Sequence, residues 1–261
     1  MEAPVGDVAR NWLRGTLLYR LWSRYRSWRF RTVVLSGMKF AEIDGVRLEL
    51  GGLSPRMREA LVLGRYEVAE LQLCRNLLSS DDRVVEIGSA IGLLGIFAVK
   101  RLGIREYFCI EANPVTGDML KANHLLNGVE PRLWIAALAP ENGPVTLYVT
   151  EDFWTDSVLP DPTHAKRRGV TVQGFRLATL LEKVPFSPTT LIVDVEGAET
   201  CLIDETIPRG IDKVIIELHP RIVGAANASA VLEHLVNQGF QVQSTFDDSY
   251  ALVRMQVEAL H

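Results

Sequence analysis

The sequence predicts an α/β protein built on a doubly wound, mostly parallel sheet, and three observations carry that expectation. From Ser79 onward, short apolar runs alternate with helix-period segments. The runs "LIVDV" (191–195) and "VIIEL" (214–218) are apolar on both faces, as strands covered by helices on both sides must be. The last two runs, "FQVQSTF" and "YALVRM", flank Asp247-Asp248-Ser249 and read as a hairpin, which adds antiparallel pairing at one edge of a seven-stranded sheet.

Within that frame each element has its own signal. "RVVEIG" is the first strand, and "IGLLGIFAVKRLG" the helix after it, with Gly103 as its C-cap. "EYFCIE" and "RLWIAAL" are the second and third strands, separated by the helix "PVTGDMLKANHLLNG", which ends at Asn127-Gly128. "GPVTLYV" is an extra strand opening a polar loop from Glu151 to Gly169, followed by the strand "VTVQGF" and the helix "LATLLEK". "TLIVDVE" is the fourth strand, "CLIDETI" a helix, "KVIIELH" the fifth strand and "SAVLEHLVNQG" a helix. This core occupies residues 79–261, and residues 1–78 form an N-terminal extension.

In the extension, Leu13, Leu17, Leu21, Tyr25 and Trp28 recur at helical spacing, but Arg10, Arg14 and Arg24 fall on the same side. Residues 10–31 are read as a helix that packs on the core or on a second copy in a homo-oligomer, with peripheral membrane contact as the sharper alternative and nucleic-acid contact as the remaining one. Residues 33–50 read as short strands turning at Asp44-Gly45, and residues 55–78 as one helix.

Composition narrows the function classes. A chain of 261 residues, 48% hydrophobic, buries a full core. The formal net charge is -4, and the seven arginines of residues 1–38 face only Glu2 and Asp7, so the remainder is strongly acidic and nucleic acid is not a favoured partner. Cys74, Cys109 and Cys201 are widely spaced, without CxxC, and suit a reducing cytoplasm. No apolar run reaches the length of a spanning helix, and the N-terminus shows no signal-peptide pattern.

The chemistry concentrates in "VVEIGSAIGLLG", residues 84–95. Glycine lets a ligand approach the backbone, and the turn after the first strand points to the switch point of such a sheet, so Gly88, Gly92 and Gly95 are candidates for a ligand loop. The G-x-G-x-x-G frame of a dinucleotide loop fails here, since Ala90 and Leu93 stand where its later glycines belong. Glu86, two residues before Gly88, disfavours a phosphate and suits a cationic nucleoside, and Glu111 at the tip of the second strand is placed to accept from ribose hydroxyls. S-adenosylmethionine, with an ammonium, a sulfonium and no phosphate, meets both conditions.

"VVEIGSAIGLLG", "CIEANP", "LKANHLLNG", "LIVDVEGAE" and "IIELHP" occur in this order, and over about Ser79 to Pro220 the chain resembles the FkbM family of S-adenosylmethionine-dependent methyltransferases. The most specific element is "DVEGAE", residues 194–199. The resemblance implies a Rossmann-like class I methyltransferase fold and O-methylation of a small molecule or saccharide. It implies that Glu86 and Gly88 line the methionine portion of the cofactor, Glu111 holds the ribose and Asn113 lies near the adenine. Ser89, Ala90, Gly92, Ala112 and Asp194 complete the cofactor set, and Asp194 and Glu196 face the reaction centre. The family's first loop commonly reads D-x-G-A-N-x-G, whereas this chain has Glu86 and Ala90 at the Asp and Asn positions. That departure keeps a second reading open: a catalytically weak relative acting as a docking module.

Methyl transfer to a hydroxyl needs a proton acceptor, and the candidates are Asp194, Glu196 and His219, the last at the end of the fifth strand. The same three groups are permissible ligands of a divalent cation, but no fixed spacing marks a metal site and none is favoured. Glu199 opens the next helix, where interaction with the helix dipole is its expected role. Trp154 is a candidate to stack on the substrate, and Asp156 and Ser157 to make polar contacts to it. Lys166, Arg167 and Arg168 either meet an acidic substrate or form a solvated run. The absence of a [DN]-P-P-[YF] box after the fourth strand disfavours methylation of nucleic-acid bases.

Overall fold

The computed structural model describes residues 37–150, 152, 155–159 and 168–255. The helix expected over residues 10–31, Trp154, Lys166 and Arg167 lie outside them.

The main sheet has seven strands. In chain order they are β3 (Arg83–Ile87), β4 (Glu106–Glu111), β5 (Leu133–Ile135), β9 (Thr190–Val193), β10 (Lys213–Glu217), β11 (Phe240–Phe246) and β12 (Ser249–Arg254). Their spatial order is β11-β12-β10-β9-β3-β4-β5. The pairs β3–β4, β3–β9, β4–β5 and β9–β10 are parallel, and β12 runs antiparallel to both β10 and β11. The sheet therefore winds outward in both directions from β3, and the switch point lies between β3 and β9. In such sheets ligands bind beyond the carboxyl ends of the strands at that point.

Alternate residues feed two cores. Val84, Ile192 and Ile215 join a cluster with Leu93, Ile96, Phe97 and Leu120 on one face. Val85, Val193, Val214 and Ile216 join Leu177, Leu202, Val231 and Leu235 on the other. The first face carries α3 (Leu93–Phe97, continuing as a π-helical turn to Leu102) and α4 (Pro114–Leu126). The second carries α5 (Leu177–Glu182), a 3-10 helix (Ala198–Asp204) and α7 (Ala225–Asn237), with the short α6 (Pro220–Val223) just before it.

Residues 40–78 cover the first face. The hairpin of β1 (Phe40–Ile43) and β2 (Val46–Glu49) turns at Asp44 and Gly45, both in the left-handed region. Its buried Val46, Leu48 and Leu50 belong to the same cluster as Ile91 and Phe97. The outer edge of β2 is satisfied by side chains one helical turn apart on α4. Asn123 Oδ1 accepts from the Glu49 N–H at 2.9 Å while its Nδ2 donates to the Ile91 carbonyl at 3.0 Å, and Asn127 bonds both backbone groups of Arg47. Two amides thus do for this strand what a neighbouring strand would.

Three elements differ from the sequence expectation. The single helix over residues 55–78 is two, α1 (Pro55–Val62) and α2 (Val68–Leu77), because Gly64 and Glu67 take left-handed angles and turn the chain between them. The third strand splits. The Ala136 N–H completes the ladder on the Glu111 carbonyl, and the chain then leaves the main sheet. It enters a second sheet, where β6 (Ala137–Leu138) pairs with β8 (Arg168–Phe175), and β8 with β7 (Gly143–Val149). The helix expected at "CLIDETI" starts three residues earlier and is 3-10 rather than α. Among the described residues no helix is long and apolar enough to cross a membrane.

Removing the Asn123 amide leaves the buried Ile91 carbonyl and the part-buried Glu49 N–H without their side-chain partner. N123A is expected to cost about 2 kcal/mol and to lower the melting temperature by about 4–8 °C in a domain of this size, measured by thermal unfolding; a melt unchanged within error refutes the amide seam.

Candidate active site

A cleft enclosing about 680 Å³, counted with its open mouth, lies beyond the carboxyl ends of β3, β4 and β9. Its floor is Gly88, Ala90, Glu111, Asp194 and Glu196; Ala137, Leu138 and Leu147 of the small sheet form one wall with Asp156 and Ser157, and Tyr66 contributes from the α1–α2 connection.

The closest approach is between backbones. A Cβ on Gly88 (φ +90°) would sit 1.6 Å from the Asp194 carbonyl oxygen, so no other residue fits where β3 and β9 release their loops. The other two glycines of the loop serve packing. A Cβ on Gly92 would meet the His124 ring at 2.6 Å, and one on Gly95 would meet Tyr107 at 3.1 Å and His124 at 3.2 Å. Gly92, expected to contact a ligand, instead seats α3 against α4 and does not line the cleft.

Glu111 organises the loop. Its Oε2 accepts from the Ala90 N–H and its Oε1 from the Asn113 N–H, each at 2.8 Å. These bonds occupy about half of the carboxylate's acceptor capacity and leave lone pairs toward the cleft. Ala90 is held at φ 44°, a left-handed conformation that alanine enters at a cost of about 1 kcal/mol. Burial pushes the Glu111 carboxyl up to about 7. Glu86 is 2% exposed, and burial likewise lifts it to about 7. It stands behind the loop rather than on the cleft lining, as does Ser89, whose hydroxyl donates to the Glu86 carbonyl. Ala112 lines the cleft. Asn113, expected near the adenine, is otherwise engaged: its Oδ1 caps α4 by accepting from the Val115 N–H, and its Nδ2 donates to Asp156 at 2.7 Å. The other Asp156 oxygen accepts from the Thr150 N–H.

Across the cleft, Asp194 and Glu196 follow β9 and His219 follows β10. His219 Nδ1 lies 3.3 Å from Glu199 Oε1, which also accepts from the His219 N–H at 2.7 Å. Glu199 is fully buried, and its other oxygen accepts from the Gly197 N–H. The expected helix-dipole role therefore gives way to that of the group that orients His219. The imidazole's Nε2 lies 3.6 Å from Asp194 Oδ1, 3.5 Å from Glu196 Oε2 and 3.7 Å from Glu217 Oε1. Burial opposes charge on His219, but the Glu199 bond and the carboxylates of Glu196, Glu199 and Glu217 prevail and raise it to about 9. Asp194 is pushed well above the usual carboxylate range by burial, then by Glu217, Glu196, Glu70 and Glu67. Ser157 supports this cluster, since its hydroxyl donates to the Glu196 carbonyl in the Glu196-Gly197 turn, where both residues have positive φ.

Sequence reasoning missed Tyr66, Glu67, Glu70 and Glu217. Glu217 was visible as the one polar residue of "VIIEL". The other three come from the extension and carry no local signal.

No model of a known family matches the chain, and no curated protein matches it. Among solved structures it is similar to ribosomal protein L11 methylase from Lactobacillus delbrueckii subsp. bulgaricus, with 14% identity over 72% of this chain and 76% of that one and a TM-score of 0.42. It is similar to the methyltransferase FkbM from Methylobacillus flagellatus KT, with 12% identity over 68% and 44% of the two chains and a TM-score of 0.39. It is also similar to M. capricolum TrmK in complex with S-adenosyl-homocysteine, with 11% identity over 70% and 66% and a TM-score of 0.42. Likeness this weak leaves the chemistry of the site to its own residues.

Glu86 and Glu111 keep protons in the folded chain that the unfolded chain releases above its ordinary carboxylate range. The stability they contribute is full below that range and is lost as pH rises through about 7. The ligand-free protein is expected to lose up to about 3 kcal/mol per group between pH 4.5 and 8. E86Q should flatten that slope and melt higher than wild type at pH 8; equal slopes in both proteins remove Glu86 from the explanation.

Proposed function

We propose that this protein is an S-adenosylmethionine-dependent methyltransferase that O-methylates a hydroxyl of a small molecule or saccharide. The carrying observation is the charge of the cleft. Its lining includes the carboxyls of Glu111, Asp156, Asp194 and Glu196 and, among the described residues, no lysine, arginine or histidine. A phosphorylated dinucleotide entering it would find acidic side chains and no cationic one on the lining, whereas a cationic nucleoside is attracted. The donor set fits such a cofactor: Glu111 keeps lone pairs for a pair of vicinal hydroxyls, and the Gly88–Asp194 contact forms the floor.

When bound, the cofactor supplies a methyl group on a positively charged sulfur. The chain's own residues do the rest. Glu111 fixes the Ala90–Asn113 backbone and with it the shape of the nucleoside end. Asp194, Glu196 and His219 gather at the other end, beyond β9 and β10, where an acceptor hydroxyl must lose its proton. Leu138, Leu147 and Val158 keep water from the space between.

Titration calorimetry with S-adenosylhomocysteine tests the reading against NAD. Binding of the former in the micromolar range without binding of the latter is expected, and E111Q should weaken it at least about tenfold, equivalent to about 1.4 kcal/mol. Heat with NAD alone, or no loss in E111Q, refutes the assignment.

A further inference from the structure

We propose that Asp194, Glu217 and His219 form a divalent-cation site beside the cleft, with Glu196 at its margin, which holds the acceptor through its oxygen atoms. The three ligand atoms lie within 4.8 Å of one another. His219 Nε2 is surrounded by three carboxylate oxygens at 3.5–3.7 Å, too far for good hydrogen bonds, whose mode is about 2.9–3.0 Å. Ligand atoms each about 2.1 Å from one ion are about 3.0–3.4 Å apart at right-angled to tetrahedral geometry. The gaps from His219 Nε2 exceed that by a few tenths of an ångström, and side-chain rotation must bring the carboxylate oxygens together from within 4.8 Å.

Two independent features point the same way. Asp194 Oδ1 is sealed from solvent and has no hydrogen-bond partner, although it faces the imidazole. His219 is held through Nδ1 by the wholly buried Glu199, which turns Nε2 toward the carboxylates. A carboxylate behind a histidine that presents its other nitrogen is the usual support of a histidine metal ligand. Glu70 and Glu67 of α2 and its N-cap add to the negative charge acting on Asp194, and Glu67 Oε2 is also buried without a partner. The Glu217 side chain, 31% exposed, gives an ion and an acceptor their way to the cluster. Two carboxylates and one imidazole suit a hard or borderline ion such as Mg²⁺, Mn²⁺ or Zn²⁺.

The use of the site rests on the methyl-transfer reading. A cation there lowers the affinity of an acceptor hydroxyl for its proton. The proton passes to the Glu196 carboxylate and the oxygen keeps the electron pair. That pair forms the new O–C bond while the C–S pair stays with sulfur.

The test is Mn²⁺ titration of the full chain after removal of chelator, by calorimetry and by Mn²⁺ electron paramagnetic resonance. S-adenosylhomocysteine binding is measured separately in EDTA, and melting curves confirm the fold of each variant. One Mn²⁺ per chain is expected, with D194N and E217Q each weakening it at least tenfold, and with E217Q, whose side chain lies outside the cleft lining, leaving nucleoside binding in EDTA within about threefold. If the nucleoside binds in EDTA but Mn²⁺ does not bind, or binds D194N and E217Q as tightly as wild type, the ion site is overturned and the donor reading stands. If Mn²⁺ binds through these residues while the nucleoside does not, the ion site stands and the donor reading falls.

Discussion

The contact between Gly88 and the carbonyl of Asp194 sets the rest of the site. It joins the ends of β3 and β9 where the sheet reverses direction, with no room for a single methyl group between them. Because the two strand ends touch, the loops that leave them must diverge, one toward Glu111 and the small sheet, the other toward His219. The cleft is the space this divergence leaves. The small sheet is part of the same consequence: once β5 stops at the Glu111 carbonyl, the chain is free to build a second wall over the opening.

On and behind the walls of that space the fold gathers acids. Glu67, Glu86, Glu111, Asp194 and Glu217 are all raised above the ordinary carboxylate range, with burial the first cause in each. Such a cluster is a liability to folding, because buried carboxylates of one sign are poorly solvated and repel one another, a cost that His219 offsets at the ends of β9 and β10. Beside them Glu199 goes the other way: burial raises it, but its bond to His219 prevails and lowers it. Proteins tolerate strain of this kind where function relieves it, and here the relief is positive charge entering the cleft. One ligand-free chain can therefore be poorly stabilised at the strand tips and still be a good receptor for a cation.

The sheet and its order were legible because each strand carries its own pattern: two-sided apolar runs in the middle, a hairpin signal at the edge. The acids at the strand tips were legible for the same reason, since Glu86, Glu111 and Asp194 interrupt or end apolar runs. What the sequence could not show was partnership. Glu199 reads as an ordinary first-turn acid, and only the fold brings β10 close enough for it to hold His219, twenty residues on. Asn113 reads as a loop residue free to meet a ligand, yet it caps α4 and grips Asp156. The glycines of 88–95 read as one ligand loop, but two of the three make room for His124 and Tyr107. Tyr66 and Glu67 had no signal, because the break at Gly64 that turns them toward the strand tips is a tertiary event inside what reads as a continuous helix.

The departure at Ala90 takes on a different meaning in this light. The resembled family's loop carries asparagine there, and its loss reads from sequence as the loss of a polar contact. At φ 44° the position is one that asparagine adopts more readily than alanine. The asparagine preference is thus accounted for by backbone conformation, without any contact to a ligand. In this chain the conformation is imposed from outside, by the bond from the Ala90 N–H to Glu111. Glu111 consequently carries two duties that its family-type neighbour would share: it holds the loop in its strained shape and it presents acceptors to the cleft. With alanine at this position, the shape of the loop rests on a single carboxylate.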